Sequence, residues 1–282
     1  MNQLDFVIAS DFKLLNILLG ISGHGSKYAC IYCEGPKGLD CGQLRTFGRI
    51  QECYTGFEEA GCDKKKMKEF GNVVHPPLIC AERDQTILET VPPPELHMLM
   101  GATNHLLELI RRFLESRNLE GKLWEWCNSH GITRRGDSPI LYHYYFMIFD
   151  FIGYNGTNKL DGNNANRFLY KIQELENCDW FPIELNPVVD VMWAFKEIKD
   201  KTFGWTCEEG WATSIDTFTV MFSELQVYSQ DILRLNLSVT WKIHCIACHL
   251  KDFLMEVSIN IEHSTDSKSN NYAGPVWFSL LC

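Results

Sequence analysis

A chain of 282 residues, 45% hydrophobic and 22% charged, can bury a sizeable core as one large or two small domains, which excludes a disordered or low-complexity protein. Its 26 Lys and Arg against 36 Asp and Glu leave a formal charge of -10, which excludes generic attraction to phosphate polymers, so any nucleic-acid contact must come from local basic patches. No secretory leader is read at the N-terminus, and the longest uncharged apolar run, Ser138 to Phe149, is too short to span a bilayer; the expectation is an intracellular protein off the membrane, with its 12 cysteines as thiols or metal ligands.

Residues Gln3 to Ala9 set Leu4, Phe6 and Ile8 on one side, the alternation of a short strand, and Asp11 closes that run. An aspartate in this place ordinarily caps the next helix, and Phe12 to Ile21 is a Leu-rich helical run ended by Gly23 and Gly25. Cys30-Ile31-Tyr32-Cys33 follows, a spacing shared by redox centres and zinc sites. Gly35 to Gly71, with the basic run Lys64-Lys65-Lys66-Met67-Lys68, reads as an irregular exposed connection whose lysines form a solvated face.

Val91-Pro92-Pro93-Pro94 interrupts the chain, and Glu95 suits the first turn of a helix carrying Leu96, Met98, Leu99 and Met100, continued over Leu106 to Leu114. His97 and Glu95 stand at its start, where they cap it or line a site. Asp137 to Ile152 breaks a segment that would read smoothly from Thr133-Arg134-Arg135-Gly136 into Gly153-Tyr154-Asn155-Gly156. Lys159 and the run Asn163-Asn164-Ala165-Asn166-Arg167 suit a phosphate-contacting turn, although such clusters are ordinarily turns alone. Apolar residues three and four apart place further helices at Asn164 to Leu175, Pro187 to Lys199, Ser214 to Leu235 and Val239 to Val257. The fold class is therefore mainly α, without an internal repeat.

The last of these helices carries His244-Cys245-Ile246-Ala247-Cys248-His249. Two close pairs of soft or borderline ligands suit a tetrahedral zinc ion, and pairs this far apart would clamp the two ends of the chain together. His244 and His249 stand about 140° apart on a regular helix, so they share one ion only if the helix starts or distorts there. His244 with Cys248, or Cys245 with His249, share a face, and spacing leaves the second pair of ligands open. Cys245, Cys248 and His249 also fit the attachment pattern of c-type haem, which needs an exported chain, and buried thiols with core histidines are the ordinary alternative.

In its order of elements the chain resembles the RNase H-like DDE transposases of the Transib type, the family related to the catalytic subunit of the V(D)J recombinase. There the second catalytic aspartate ends a strand ahead of a Cys-x-x-Cys, as Asp11 stands nineteen residues before Cys30. A His-x-x-x-x-His closes the helical insertion, as His244 and His249 do here. Between them come a Pro-rich approach to Leu-His-x-x-x-Gly, here Leu96-His97 to Gly101, and a Gly-Asn-rich turn, here Asp161 to Arg167. The likeness runs from about Leu4 to Met255.

The resemblance implies a remnant of an RNase H-like α/β sheet over 1–22, a large zinc-stabilised helical insertion over 23–257, a non-family insert at 137–152 such as a translated intron, and a divergent tail over 258–282. It implies structural Zn2+ on Cys30, Cys33, His244 and His249, and Asp11 as a catalytic ligand of Mg2+ or Mn2+ in an intact family member. It further implies DNA as partner, through Arg134, Arg135, Lys159, Asn163 and Arg167, with His97 as an active-site neighbour, a nuclear location and a homo-oligomer. Two departures matter. The family's first catalytic aspartate should lie upstream of Met1, and its catalytic glutamate should follow the histidine pair on a helix, where the tail is rich in Ser and Asn and Glu262 comes too early. The expected function is thus a fragment or degenerate copy of a transposase core that does not cut DNA by itself, the alternative being a domesticated zinc-stabilised module that binds DNA or protein.

Overall fold

Helices whose apolar residues recur every three or four positions can bury those stripes only against one another, and the chain is built on that economy. The computed structural model describes residues 12–23, 28, 30–36, 38–79, 81–134, 159–203 and 207–256. Within these, the helices are α1 (Phe12–Leu18), α2 (Phe47–Glu59), α3 (Ile87–Thr90), α4 (Glu95–Ser116), α5 (Glu120–Ser129), α6 (Gly162–Glu176), α7 (Asn186–Thr202), α8 (Trp211–Tyr228) and α9 (Trp241–Cys248). The helix resumes after one residue over 250–256. Strand pairing among the described residues is limited to three isolated antiparallel bridges, Ile21 with Val73, Cys33 with Leu44 and Thr46 with Thr86. The expected strand Gln3–Ala9, Asp11, Arg135, the insert at 137–152 and the tail 258–282 lie outside the described residues.

α4 is the central helix. It starts directly after Pro94, carries Glu95 in its first turn, and buries Met98, Leu99, Ala102, Leu106, Leu109, Ile110, Phe113 and Leu114. α5, α6, α7 and α9 pack on it, α8 packs on α7 and α9, and one continuous core runs from Phe12 to Leu254. A truncation at its centre, such as Leu106→Ala, would cost about 2–5 kcal/mol through lost transfer energy and the cavity left behind. No helix among the described residues is long and apolar enough to cross a membrane.

Four sequence expectations change in the fold. α1 stops at Leu18 because Gly20 turns the chain at φ 75°, delivering Ile21 to its bridge with Val73. The stretch from Gly35 to Gly71, expected to be irregular, contains α2: the Thr46 hydroxyl caps it by accepting from the Arg49 N–H, and Phe47, Ile50, Cys53 and Phe57 face the core. Its lysines at 64, 65, 66 and 68 are exposed as expected. The single helix expected over Ser214 to Leu235 is α8 followed by a π-helical turn, Ser229–Leu233, that ends at Arg234 in the left-handed region. The run expected over Val239 to Val257 is broken at His249.

Candidate metal centre

The first half of the site is a tight turn. The Tyr32 N–H donates to Cys30 Sγ and the Gly35 N–H to Cys33 Sγ, each at 3.4 Å, which aims both sulfurs to one side and spreads thiolate charge onto the backbone. Behind the turn the strand-like segment 42–46 runs back along it, with the Glu34 N–H on the Gln43 carbonyl and the Arg45 N–H on the Tyr32 carbonyl. The two backbones meet at Gly35 and Gly42, where a Cβ on Gly42 would sit 2.0 Å from the Gly35 nitrogen. Only glycine fits that approach.

Arg45 lies fully buried beneath the turn. Its Nε donates to the carbonyls of Cys30, at 3.1 Å, and Cys33, at 2.9 Å, and Nη2 donates to the Gly71 carbonyl at 3.0 Å. One guanidinium thus pins both ends of the Cys-x-x-Cys loop. Burial lowers its pKa, while the nearby Cys30, Glu34 and Cys33 favour its charge.

The second half comes from α9. Thr240 caps it by accepting from the Ile243 N–H, so His244 follows in the next turn, and the helix breaks at His249 with φ -125° and ψ -24°. That break supplies the distortion a shared ion requires of two histidines five apart. The Nε2 atoms of His244 and His249 stand 3.2 Å apart, Cys30 Sγ is 3.2 Å from His249 Nε2, and Cys33 Sγ is 3.3 Å from His244 Nε2. All four ligand atoms lie within 4.8 Å of one another, and all four residues are buried. Tetrahedral sites with metal–ligand bonds near 2.0–2.3 Å place neighbouring ligand atoms about 3.3–3.8 Å apart, so this donor set fits a metal ion. His244 Nδ1 lies 2.7 Å from the Gly38 carbonyl, to which it donates, leaving Nε2 free as a ligand. His249 packs on Tyr32, ring centroids 5.4 Å apart, and its Nδ1 has no hydrogen-bond partner among the described residues.

A hydrogen bond from Cys30, followed by those from His244 and His249, holds Cys33 far below the ordinary thiol range, whereas burial and then Cys33 push Cys30 up. Burial opposes a proton on His244, but bonds to Cys33 and the Gly38 carbonyl together raise its pKa.

The alternatives that spacing left open are resolved here. Cys245 is buried outside the cluster, and burial pushes its thiol well up. Cys248 also stays outside it and is paired with Cys41 as a disulfide. The other expected site residues lie elsewhere. His97 is half-buried in the first turn of α4 and is not one of the four clustered side chains. Asn163 is exposed in the first turn of α6, which Asp161 caps by accepting from the Asn164 N–H. The Arg167 guanidinium donates to the Gly131 carbonyl, Arg134 lies over the Trp124 ring at 5.0 Å, and Lys159 is exposed. Arg45 and Cys41 escaped the sequence reading, and the only local signal near them was the pair Gly35 and Gly42 bracketing a short loop after the Cys-x-x-Cys. No known protein-family model matches the chain, and no curated protein matches it at a significant level.

Proposed function

We propose that Cys30, Cys33, His244 and His249 bind one structural zinc ion, and that the chain is a fragment or degenerate copy of a Transib-type DDE transposase core that does not cut DNA by itself. The observation that carries this reading is the convergence, across 219 and 211 residues, of the two ligand pairs that the resemblance singles out. Zinc bound there would supply a closed tetrahedral clamp with no open position for a substrate. Two thiolates and two neutral imidazoles favour zinc over magnesium or calcium, which prefer oxygen. The chain's own residues complete the arrangement: Cys30 and Cys33 carry the negative charge, Arg45 holds their loop, and the Gly38 carbonyl orients His244.

In the same reading, 1–22 is the remnant of an RNase H-like sheet bearing Asp11, the helical body is the family's insertion, and the partner is DNA in the nucleus. DNA would be met by exposed Lys159, Asn163 and Arg167 together with Arg134 and Arg135. A two-ion mechanism of strand cleavage needs three carboxylates around the ions, and the resemblance supplies a counterpart for Asp11 alone. Incubating the chain with supercoiled DNA and Mg2+ or Mn2+ should give no nicking, while zinc analysis should return one ion per chain. Nicking that disappears in an Asp11→Ala variant would overturn the loss of activity, and a metal-free chain would overturn the clamp. A second reading, a self-standing zinc-stabilised module that binds DNA or protein, is favoured by the single core that runs from α1 to the last helix.

A further inference from the structure

The segment after the Cys-x-x-Cys loop touches α9 at three successive points. The Gly38 carbonyl accepts from His244 Nδ1 at 2.7 Å, the Leu39 carbonyl lies 3.3 Å from Cys248 Sγ, and Cys41 is paired with Cys248. The Cα atoms of that pair are 5.4 Å apart across 207 residues of chain, within the span a disulfide needs. Among the described residues no other two cysteines are paired. The two partners are unequal: Cys41 is exposed, whereas Cys248 is 4% exposed at the end of α9, directly before the ligand His249. An accessible sulfur beside a sheltered one is the layout of an oxidant-sensing cysteine with its resolving partner.

We propose that Cys41 and Cys248 are a peroxide-oxidised, reversible thiol pair that forms a covalent clamp parallel to the metal centre; the coupling to metal rests on the zinc reading above. Cys41 sulfur attacks one peroxide oxygen, the O–O bond breaks, and a sulfenic acid and one water result. Cys248 sulfur then attacks the Cys41 sulfur, the S–O bond breaks, and the second water leaves as the S–S bond forms. Two thiols lose two electrons, and one peroxide gains them. A dithiol reductant returns both electrons and restores the thiols, with Cys248 again able to donate to the Leu39 carbonyl.

The two clamps join the same segments, so each favours the other. A bound ion holds Cys41 beside Cys248, and a formed disulfide keeps the Cys-x-x-Cys loop beside His244 and His249 when the ion leaves, which turns recapture into an intramolecular event. The first oxidising equivalent is also diverted from Cys30 and Cys33, both of which are buried.

The test uses the full chain purified under reducing conditions, with zinc quantified first. One equivalent of hydrogen peroxide is then added, cross-linked peptides are read by differential alkylation and mass spectrometry, and zinc transfer to a chromophoric chelator is timed. The expected result is a Cys41–Cys248 cross-link, intact Cys30 and Cys33, and zinc transfer slowed about tenfold or more, of the order that tethering achieves. Dithiothreitol should reverse all three. Cys41→Ser, a change at an exposed position, should give no cross-link and no slowing. A zinc-loaded chain in which Cys41 and Cys248 stay alkylatable while Cys30 or Cys33 oxidises would overturn the pair and leave the zinc reading standing. A chain without zinc that still forms the cross-link would overturn the zinc reading while supporting the pair.

Discussion

Arg45 illustrates how a single residue decides whether the metal ligands are presented. Its guanidinium is fully buried and its partners are three backbone carbonyls, so removing it leaves the carbonyls of Cys30, Cys33 and Gly71 without that donor inside the protein. Arg45→Met should destabilise the chain by about 3 kcal/mol and weaken zinc binding, because a buried acceptor left unpaired loses its hydration without compensation. Urea unfolding at saturating zinc measures the first effect and chelator competition the second. A variant with unchanged zinc affinity would show that the loop holds itself. Gly42 makes the same point through absence: Gly42→Ala drives a methyl into the Gly35 backbone, so the loop must open and zinc binding should fall by more than tenfold, about 1.4 kcal/mol per decade.

At the scale of elements, the helices owe their positions to packing and their ends to specific side chains. α4 and α5 meet through Arg111, which bonds Glu108 at 2.8 Å, Glu115 at 3.1 Å and Glu120 at 3.2 Å. The Arg111 hydrogen bond holds the Glu108 carboxyl below its ordinary value of 4.5. A carboxylate with a lowered folded pKa contributes stability that is present above its unfolded pKa and is lost as pH falls through the folded one. Arg111→Ala should therefore cost about 1 kcal/mol at pH 7, discounted for the exposure of the three glutamates, and the gap to the parent should narrow below pH 4.5. Thermal melts at pH 7 and pH 3.5 compare the two. A gap of equal size at both pH values would mean that the arginine acts through packing on α4 instead.

For the whole molecule, the ion and the core hold different things. α4, α6, α7 and α8 bury their apolar faces against one another without reference to the site, whereas the loop at 30–46 adds to its buried Ile31 and Tyr32 the bonds of Arg45 and the contact of His244 with Gly38. Stripping the metal from the reduced chain should leave most helical circular dichroism intact, lower the melting temperature by about 10 °C, and remove hydrogen-exchange protection from 30–46 before it is lost from α6 to α8. Uniform loss of protection along the chain would instead show that the ion holds the entire fold.

Read without coordinates, the chain already declared α1, α4, α6, α7, α8 and α9 but not α2, α3 or α5, because a stripe of apolar residues every three or four positions is a local property, and it declared two ligand pairs, because their members are neighbours in sequence. α2 was hidden because Gly48, Gly56 and a polar face dilute its stripe, and the bridge that fixes its capping residue Thr46 runs to Thr86, forty residues on. The choice of His244 and His249 over Cys245 and Cys248 belonged to the break at His249, which local spacing permits but does not impose. Arg45 beneath the loop and Cys41 beside Cys248 had no sequence signature of their own, only the glycines at 35 and 42 nearby. Their partners lie between 12 and 207 residues away, and only the closing of the chain around one core brings those groups within bonding distance.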